Sequence, residues 1–384
     1  MHRRNPVISQ LPTYPAEALY AKRRELVARG LEVFDFSVGD PREPTDARIR
    51  AAFAAGMPEV SQYPTTRGLD EMRAACAAWL ARRFGVEVDA AREVLPTSGS
   101  KEAVFHAPAA FVDPAAAPRV LFGAPAYPVY ERSALLWGAR PWIVELRPER
   151  GYRLEPWTLD EAALAETAML WINYPHNPTA ACVDRDYLAR VAEFCREREI
   201  VLCADECYVD MYLDDDVRPP SLLEVAREGV LTFHSLSKRS GMTGYRSGFI
   251  AGDPELVDLF AELRPNFGVA ASEPVQRASI VAWGDEQHAE ARRVCFRQKR
   301  DVILAFLERA GIEAEPCRAT LYLWVRVPGA EDGAGALAYA ERLADAGILV
   351  SPAPQLGVDQ PYIRLALVPT VEDCERAVAR WAAL

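Results

Sequence analysis

The sequence lacks the features of membrane, secreted and nucleic-acid-binding proteins. Its longest apolar runs, such as residues 74–81, fall well short of the ~18 residues that a membrane-spanning helix needs. Two arginines stand near the N-terminus, but no apolar segment follows them, which predicts that no signal peptide is present. The net charge is -11, and no long basic run offers a footprint for a phosphate backbone. We therefore expect neither a membrane nor a nucleic acid as partner.

The cysteines show no pattern that would mark a disulfide framework or a metal site. All eight stand singly without Cys-x-x-Cys, and several, such as Cys203, lie in apolar runs. Small buried thiols are typical of a reducing compartment, so a cytoplasmic location is expected. Internal repeats, P-loops, Gly-x-Ser-x-Gly elbows and metal-ligand spacings are also absent from the sequence.

What the sequence does contain is a regular alternation of apolar runs with helical patterns. Strands are predicted at residues 31–37, Val94, Val120–Phe122, Trp142–Glu145, Met169–Asn173, Ile200–Ala204, Leu231–His234 and Phe249–Ala251. This rhythm predicts an α/β fold, in which helices cover both faces of a mostly parallel sheet.

The rhythm changes after Pro265, where a long helical region is predicted over residues 273–310. The helices and few strands of this part predict a second, smaller α+β domain. The 384 residues allow two or three domains. We expect residues 1–46 to belong to the small domain, 47–267 to form the large domain, and 268–384 to complete the small one.

The most informative stretch runs from His234 to Phe249 and is predicted to be a polar loop between two buried strands. Lys238 follows Ser235 and Ser237, and Arg246 stands eight positions later. A lysine can bond covalently to an aldehyde, while an arginine and serines bind a phosphate. Pyridoxal 5'-phosphate requires this combination, although a basic glycine-rich loop is the simpler alternative.

Two further candidates follow the first predicted strands of the large sheet. Ser100 and Lys101 open a helix after a glycine, where free amides can bind an anion, although an N-cap serine explains them equally. Tyr127 could stack on a planar ring or simply pack in the core.

Asn177 and Asp205 follow the next two strands. Asn177 lies in a turn with two prolines, where it could donate to a cofactor oxygen or only shape the turn, with a cis proline as an open possibility. Asp205 at the end of a buried strand needs a cation or a donor, such as a protonated pyridine nitrogen, unless it caps a helix.

Taken in order, these motifs resemble the fold-type-I pyridoxal-phosphate aminotransferases of the aspartate aminotransferase superfamily. Asn-Pro-Thr, Asp-x-x-Tyr, Ser-x-Ser-Lys and Gly-x-Arg-x-Gly follow one another at residues 177–179, 205–208, 235–238 and 244–248. The resemblance extends from Phe36 to Leu365 and so covers nearly the whole chain.

The resemblance implies a role for each matching residue. Lys238 matches the lysine that bonds to the cofactor aldehyde and later moves the substrate α-proton, and Asp205 matches the partner of the pyridine nitrogen. Asn177 and Tyr208 match donors to the ring 3'-oxygen, and Tyr127 matches the stacking aromatic. The phosphate is expected to bind Ser100, Lys101, Ser235, Arg246 and, at the margin of this group, Ser237.

Three more residues carry implications for substrate and assembly. Arg364 and Gly39 match the residues that receive the substrate α-carboxylate. Tyr63 matches a phosphate-binding tyrosine from a neighbouring subunit, which implies a homodimer with shared active sites. Ala180 stands where glycine usually follows Asn-Pro-Thr, and Arg239 after the lysine is a candidate for substrate recognition.

The resemblance implies transfer of an amino group between an amino acid and a 2-oxo acid. The motifs around Lys238 and residues 264–268 are most similar to the N-succinyl-L,L-diaminopimelate aminotransferases of lysine and cell-wall biosynthesis, with 2-oxoglutarate as the expected acceptor. Aspartate, alanine or unsuccinylated LL-diaminopimelate as amino donor remains an alternative.

Two readings from other classes stay open. Gly333-Ala-Gly335-Ala-Leu-Ala338 satisfies the dinucleotide fingerprint and suggests a NAD-dependent dehydrogenase, although an acidic loop separates it from the preceding strand. The chain could also bind the cofactor without catalysis, although Lys238, Asp205 and Arg364 are all present.

Overall fold

The computed structural model describes residues 5–11 and 15–384. Its α-helices are α1 (Pro15–Ala28), α2 (Ala47–Ala55), α3 (Asp70–Phe84), α4 (Ser100–Phe111), α5 (Val129–Leu136), α6 (Glu161–Leu164), α7 (Arg185–Arg196), α8 (Leu236–Arg239), α9 (Pro254–Leu263), α10 (Glu273–Gly284), α11 (Gln287–Ala310), α12 (Gly333–Asp345) and α13 (Val371–Trp381). Short 3-10 helices cover Pro6–Gln10, Pro148–Arg150, Pro156–Thr158, Leu222–Glu224, Arg264–Phe267 and Ala353–Leu356. None of the helices in these ranges is long and apolar enough to cross a bilayer.

The strands form one large and two small sheets. They are β1 (Phe34–Asp35), β2 (Val94–Thr97), β3 (Arg119–Ala124), β4 (Arg140–Glu145), β5 (Thr167–Ile172), β6 (Val201–Asp205), β7 (Val230–Ser235), β8 (Gly248–Gly252), β9 (Tyr322–Arg326), β10 (Ile348–Leu349), β11 (Ser351–Pro352) and β12 (Tyr362–Ala366). The large sheet has the order β2-β8-β7-β6-β5-β3-β4, and the small ones pair β1 with β10 and β11 with β12 and β9.

The predicted mostly parallel sheet is confirmed. Strands β4, β3, β5, β6 and β7 pair in parallel, and β8 alone runs against its neighbours β7 and β2. The carboxyl ends of β2 to β7 therefore meet at the edge where β8 begins. Strands β2, β7 and β8 are continuous buried runs and β5 and β6 nearly so, as expected for a sheet that is covered on both faces, whereas the edge strand β4 is partly exposed.

The described residues form two large hydrophobic cores and one small cluster, which contains Leu26, Ala344 and Leu349. The larger core surrounds the seven-stranded sheet, and the second core joins β9, β12 and helices α11 to α13 with Phe34 and Phe36. Helix α10 packs in the larger core through Ala278, Ala282 and Trp283, so the boundary predicted after residue 267 separates this helix from the core that it joins. The domain limits as a whole stay a proposal.

Two local predictions differ from the structure. The strand predicted over residues 31–37 is only two residues long, because its parallel partner β10 offers only Ile348 and Leu349 for pairing. The helical region predicted from residue 273 to 310 is two helices, because the chain leaves α10 at Asp285, which accepts a hydrogen bond of 2.9 Å from the His288 amide and so caps the start of α11.

Candidate functional site

A cavity of about 570 Å³ lies at the carboxyl edge of the large sheet and brings the predicted residues together. Except for Tyr63 and Arg239, the predicted site residues line it: Gly39, Ser100, Lys101, Tyr127, Asn177, Asp205, Tyr208, Ser235, Ser237, Lys238, Arg246 and Arg364. Tyr63 is fully exposed outside it. The strand ends explain the clustering, because six strands that point in one direction deliver their following residues to one edge.

The N-terminus of α4 forms one wall that is suited to an anion. Its N-cap is Gly99, which provides no side-chain acceptor for the first amides of this 12-residue helix. Gly99 has a φ of 79°, and a Cβ there would come within 2.5 Å of Arg246 Nη2. Only glycine therefore lets a guanidinium approach the uncapped amides, and together they offer a positive site.

Lys238 lies in a single helical turn rather than in the irregular loop that was predicted. Ser235 caps this turn, since its Oγ accepts a hydrogen bond of 3.1 Å from the Ser237 amide. The cap fixes the backbone directly before Lys238, whose Nζ donates to the carbonyl oxygen of Gly39. The amine therefore lies in the cavity beside a peptide group from the N-terminal segment.

Asp205 is a buried carboxylate at the end of β6. Tyr130 donates its hydroxyl to Oδ2 at 2.8 Å, and the Cys207 amide donates to Oδ1 at 3.3 Å. Burial raises the pKa of Asp205 above its ordinary value, because the ionised form loses its hydration. Among the described residues, the hydroxyl of Tyr130 and the Cys207 residue lower this pKa, and no cationic side chain contributes, so the site favours the arrival of a cation or a proton.

Asn173, which sequence reasoning missed, ties two predicted residues together. Its Nδ2 donates to the Asp205 carbonyl at 2.7 Å, and its Oδ1 accepts from the Asn177 amide at 3.0 Å. The Asn177–Pro178 bond is cis, which answers the question that the sequence left open. Ala180 has a φ of 60°, and this left-handed conformation is the physical reason why glycine suits its position.

Arg364 projects from the middle of β12. Its Nη1 donates to Asn177 Oδ1 at 3.1 Å, and its Nη2 donates to the Ser37 carbonyl at 2.6 Å and to Ser351 Oγ at 3.4 Å. The guanidinium carbon lies 4.7 Å from the ring centre of Tyr322. Arg364 Nε is buried without a partner in the described part of the chain, so this donor is available to a ligand.

Two tyrosines stand beside Gly39 and Arg364. The hydroxyls of Tyr208 and Tyr322 lie 3.0 Å apart. Burial, and then the Tyr322 hydroxyl, raise the pKa of Tyr208 well above its ordinary value, so Tyr208 stays a neutral donor. A Cβ at Gly39 would collide with the Tyr322 hydroxyl, which requires glycine there. Tyr322 was also missed, because it begins a strand and no motif marks it.

Arg239 does not recognise substrate, and that prediction is wrong. Its side chain is buried, with Nε donating to Asp210 Oδ2 at 2.7 Å and Nη1 donating to the Ala282 carbonyl at 2.6 Å. The guanidinium also lies near the rings of Trp79 and Trp283. A basic residue beside Lys238 in sequence thus anchors α10 to the sheet instead of lining the cavity.

The dinucleotide fingerprint is not a nucleotide site either. The helix that it opens is already capped by the chain, since Asp332 Oδ1 accepts from the Gly335 amide at 3.0 Å and Asp359 Oδ1 accepts from the Gly333 amide at 2.8 Å. A Cβ at Gly333 would lie within 2.6 Å of both Asp359 and Pro354. Two carboxylates occupy the place of a pyrophosphate, so the dehydrogenase alternative is wrong.

The donor set in the cavity fits pyridoxal 5'-phosphate. An uncapped helix N-terminus with Arg246 suits the phosphate. The buried carboxylate of Asp205, whose donors are a tyrosine hydroxyl and a backbone amide, suits a protonated pyridine nitrogen. Lys238 offers a primary amine to the aldehyde, and the free Nε of Arg364 suits a substrate carboxylate.

Comparisons with known sequences agree with this fit. Residues 32–380 match the family model described as aminotransferase class I and II. LL-diaminopimelate aminotransferase 2 of Trichormus variabilis is 34% identical over 381 residues, covering 97% of this chain and 96% of that protein. LL-diaminopimelate aminotransferase of Desulforudis audaxviator is 36% identical over 384 residues, covering 96% of this chain and 95% of that protein.

Solved structures give the same fold. An aminotransferase from Neisseria meningitidis superposes with a TM-score of 0.91 and 32% identity, covering 99% of both chains. Aspartate aminotransferase from Thermus thermophilus, crystallised with maleate, superposes with a TM-score of 0.90 and 26% identity, covering 100% of both chains.

Proposed function

The chain belongs to the class I and II aminotransferases, which depend on pyridoxal 5'-phosphate, and we propose that its amino donor is a diaminopimelate. The acceptor in this proposal is 2-oxoglutarate. The observation that carries the catalytic assignment is the buried carboxylate of Asp205, which lines the same cavity as the Lys238 amine and has no cationic partner in the described residues. A cytoplasmic location belongs to the same proposal.

Two forms of the donor compete. The relatives at 34–36% identity are LL-diaminopimelate aminotransferases, which favours unsuccinylated LL-diaminopimelate. The similarity around Lys238 and residues 264–268 favours the N-succinyl derivative. The two share the α-amino acid end that reacts. They differ at the distal nitrogen, which is an ammonium in one and, in the other, an amide that carries a succinyl group with its own carboxylate.

The sheet-edge residues have chemical roles in this proposal. Pyridoxal 5'-phosphate, when bound, supplies an aldehyde that bonds reversibly to amines and a ring that withdraws electrons from the substrate α-carbon. Asp205 holds a proton on the pyridine nitrogen, and Lys238 Nζ moves the α-proton as a general acid–base. Tyr208 and Asn177 donate to the 3'-oxygen on the cofactor ring, and Tyr127 stacks on this ring.

Substrate orientation and phosphate binding complete the assignment. Arg364 binds the α-carboxylate beside Gly39 and Asn177, which aligns the bond that breaks. The phosphate is assigned to Ser100, Lys101, Ser235, Ser237 and Arg246.

A homodimer is part of the proposal, because Tyr63 lies outside its own cavity. Tyr63 is fully exposed, and Met57 and Val60 in the same irregular segment are exposed as well. Such an apolar segment is suited to a second copy of the chain. Mixing inactive Lys238→Ala and Tyr63→Ala proteins should restore activity, since a mixed dimer contains one intact site. No restoration would reject shared sites.

Parallel assays with 2-oxoglutarate test the donor. LL-diaminopimelate, N-succinyl-LL-diaminopimelate, aspartate and alanine are each offered at equal concentration, and kcat/KM is compared. We expect one of the two diaminopimelates to exceed aspartate and alanine. Equal or higher kcat/KM on aspartate or alanine would reject the proposed donor but leave the aminotransferase assignment intact.

A further inference from the structure

Gln355 is a cavity residue that the catalytic assignment does not use. It lies in the 3-10 helix Ala353–Leu356, four residues after Ser351, whose hydroxyl accepts a hydrogen bond from Arg364. Its side chain lines the cavity. Its Oε1 is buried, and no hydrogen-bond partner for this atom exists in the described part of the chain. A buried amide oxygen without a partner costs free energy unless a ligand donates to it.

The backbone that carries Gln355 is held from both sides. The carbonyl oxygen of Leu356 accepts a hydrogen bond of 3.0 Å from the amide of Ala126, next to Tyr127. On the other side Pro354 packs so closely on Gly333 of α12 that a Cβ on this glycine would lie 2.6 Å away. The backbone from which the Gln355 side chain extends is therefore set before any substrate arrives, which lowers the cost of ordering this residue on binding.

We propose that Gln355 determines specificity by accepting a hydrogen bond from an N–H group at the distal end of the amino donor. This inference rests on the proposed function, since both candidate diaminopimelates carry such a group, as an ammonium or as an amide. Aspartate carries only a carboxylate there. A donor without a distal N–H leaves the buried oxygen unpaired, and sites of this kind discriminate strongly.

The test compares amino donors that differ in one group. LL-diaminopimelate and L-2-aminopimelate differ only in the distal ammonium, and lysine and norleucine form a second such pair. In Gln355→Met, which keeps the side-chain volume but loses the acceptor, kcat/KM for the N–H-bearing donor should fall about 10- to 100-fold. The value for its partner without the N–H should change less than about threefold.

A matched control and a second variant keep the result interpretable. Gln360 also has a buried Oε1 without a partner among the described residues, but it does not line the cavity, and its Nε2 donates to Glu145 Oε1 and to the Leu146 carbonyl. Gln360→Met should lower Tm and leave the donor ratio unchanged. Gln355→Glu retains an acceptor and should preserve or increase the preference for the ammonium. Tm and the absorbance of bound cofactor verify that each variant folds.

The outcomes separate this inference from the proposed function. If folded Gln355→Met keeps the wild-type donor ratio, Gln355 is not a specificity residue, whatever the substrate. If neither diaminopimelate is turned over, the proposed donor is wrong, and the lysine and norleucine pair decides on Gln355. If the wild type uses only donors that lack a distal N–H, the inference is overturned as well.

Discussion

The cavity is lined by two groups of residues that differ in how the chain assembles them. The sheet-edge residues, Ser100, Asp205, Ser235, Lys238 and Arg246, follow or precede strands of one sheet and occur within short motifs. The small-sheet residues come from β1, β9, β11, β12 and their flanks: Ser37, Tyr322, Ser351, Gln355 and Arg364. Arg364 and Ser37 are 327 positions apart, yet they share a hydrogen bond.

This difference explains what the sequence could predict. A parallel sheet delivers the residues after its strands to one edge, so strand order alone placed Asp205 beside Lys238. No such rule places Tyr322 or Gln355, whose positions depend on how the small sheets pack on the large core. Only Arg364 was found in that group, through its motif.

The largest expected effect is at Lys238. Lys238→Ala removes the group that moves the α-proton, so kcat should fall at least about 10³-fold. KM should change far less, because the small-sheet residues still bind the substrate. Steady-state kinetics on purified protein with bound cofactor measure both constants. A near-normal kcat would show that the sheet-edge residues do not carry the chemical step, and the contrast with the small-sheet residues would be wrong.

Arg364 should show the opposite pattern. Arg364→Lys retains the charge but loses the planar fork that meets a carboxylate, so KM should rise about 10- to 100-fold. The fall in kcat should be smaller than in Lys238→Ala. A variant with normal KM and strongly reduced kcat would show that Arg364 acts on the chemical step instead.

Glu206 is a buried residue that follows Asp205 in sequence, and it should make the stability of the fold depend on pH. Burial raises its pKa from 4.5 to about 8, because the ionised form loses its hydration and the hydrogen bond of 2.7 Å from the Leu222 amide offsets this loss only in part. The folded state holds this proton more tightly, so the free energy of unfolding should fall between pH 5 and 8 by up to roughly 1.4 kcal/mol per pH unit. Urea unfolding across this range should show no such contribution in Glu206→Gln. Parallel curves for the two proteins would contradict the expectation.

The smallest expected effect concerns the turn that contains Asn177, a residue that contacts Arg364 of the small-sheet residues. Ala180 has a φ of 60°, so Ala180→Gly should relieve strain and raise the free energy of unfolding by about 0.5–1 kcal/mol. Ala181, whose φ is not positive, is the matched control. Ala181→Gly should lower the free energy of unfolding by a similar amount. Equal effects at both positions would show that the turn is not strained.

Particular residues show where prediction from sequence ended. The strand ends and the anion site at α4 follow from local patterns. Arg239 and α10 could not be predicted, because both depend on packing: a guanidinium beside Lys238 in sequence is buried against Trp79 and Trp283. Asn173 could have been proposed from the sequence, since it lies four residues before Asn177. Only the structure shows that its side chain bonds to both Asn177 and Asp205.

The most direct test of the account locates the covalent bond to the cofactor. The chain contains four lysines, Lys22, Lys101, Lys238 and Lys299, so the assignment has few alternatives. Borohydride reduction of the protein with bound pyridoxal 5'-phosphate, followed by peptide mass spectrometry, identifies the modified residue. We predict the phosphopyridoxyl group on Lys238 alone. Its presence on Lys101, or on no lysine, would contradict the account.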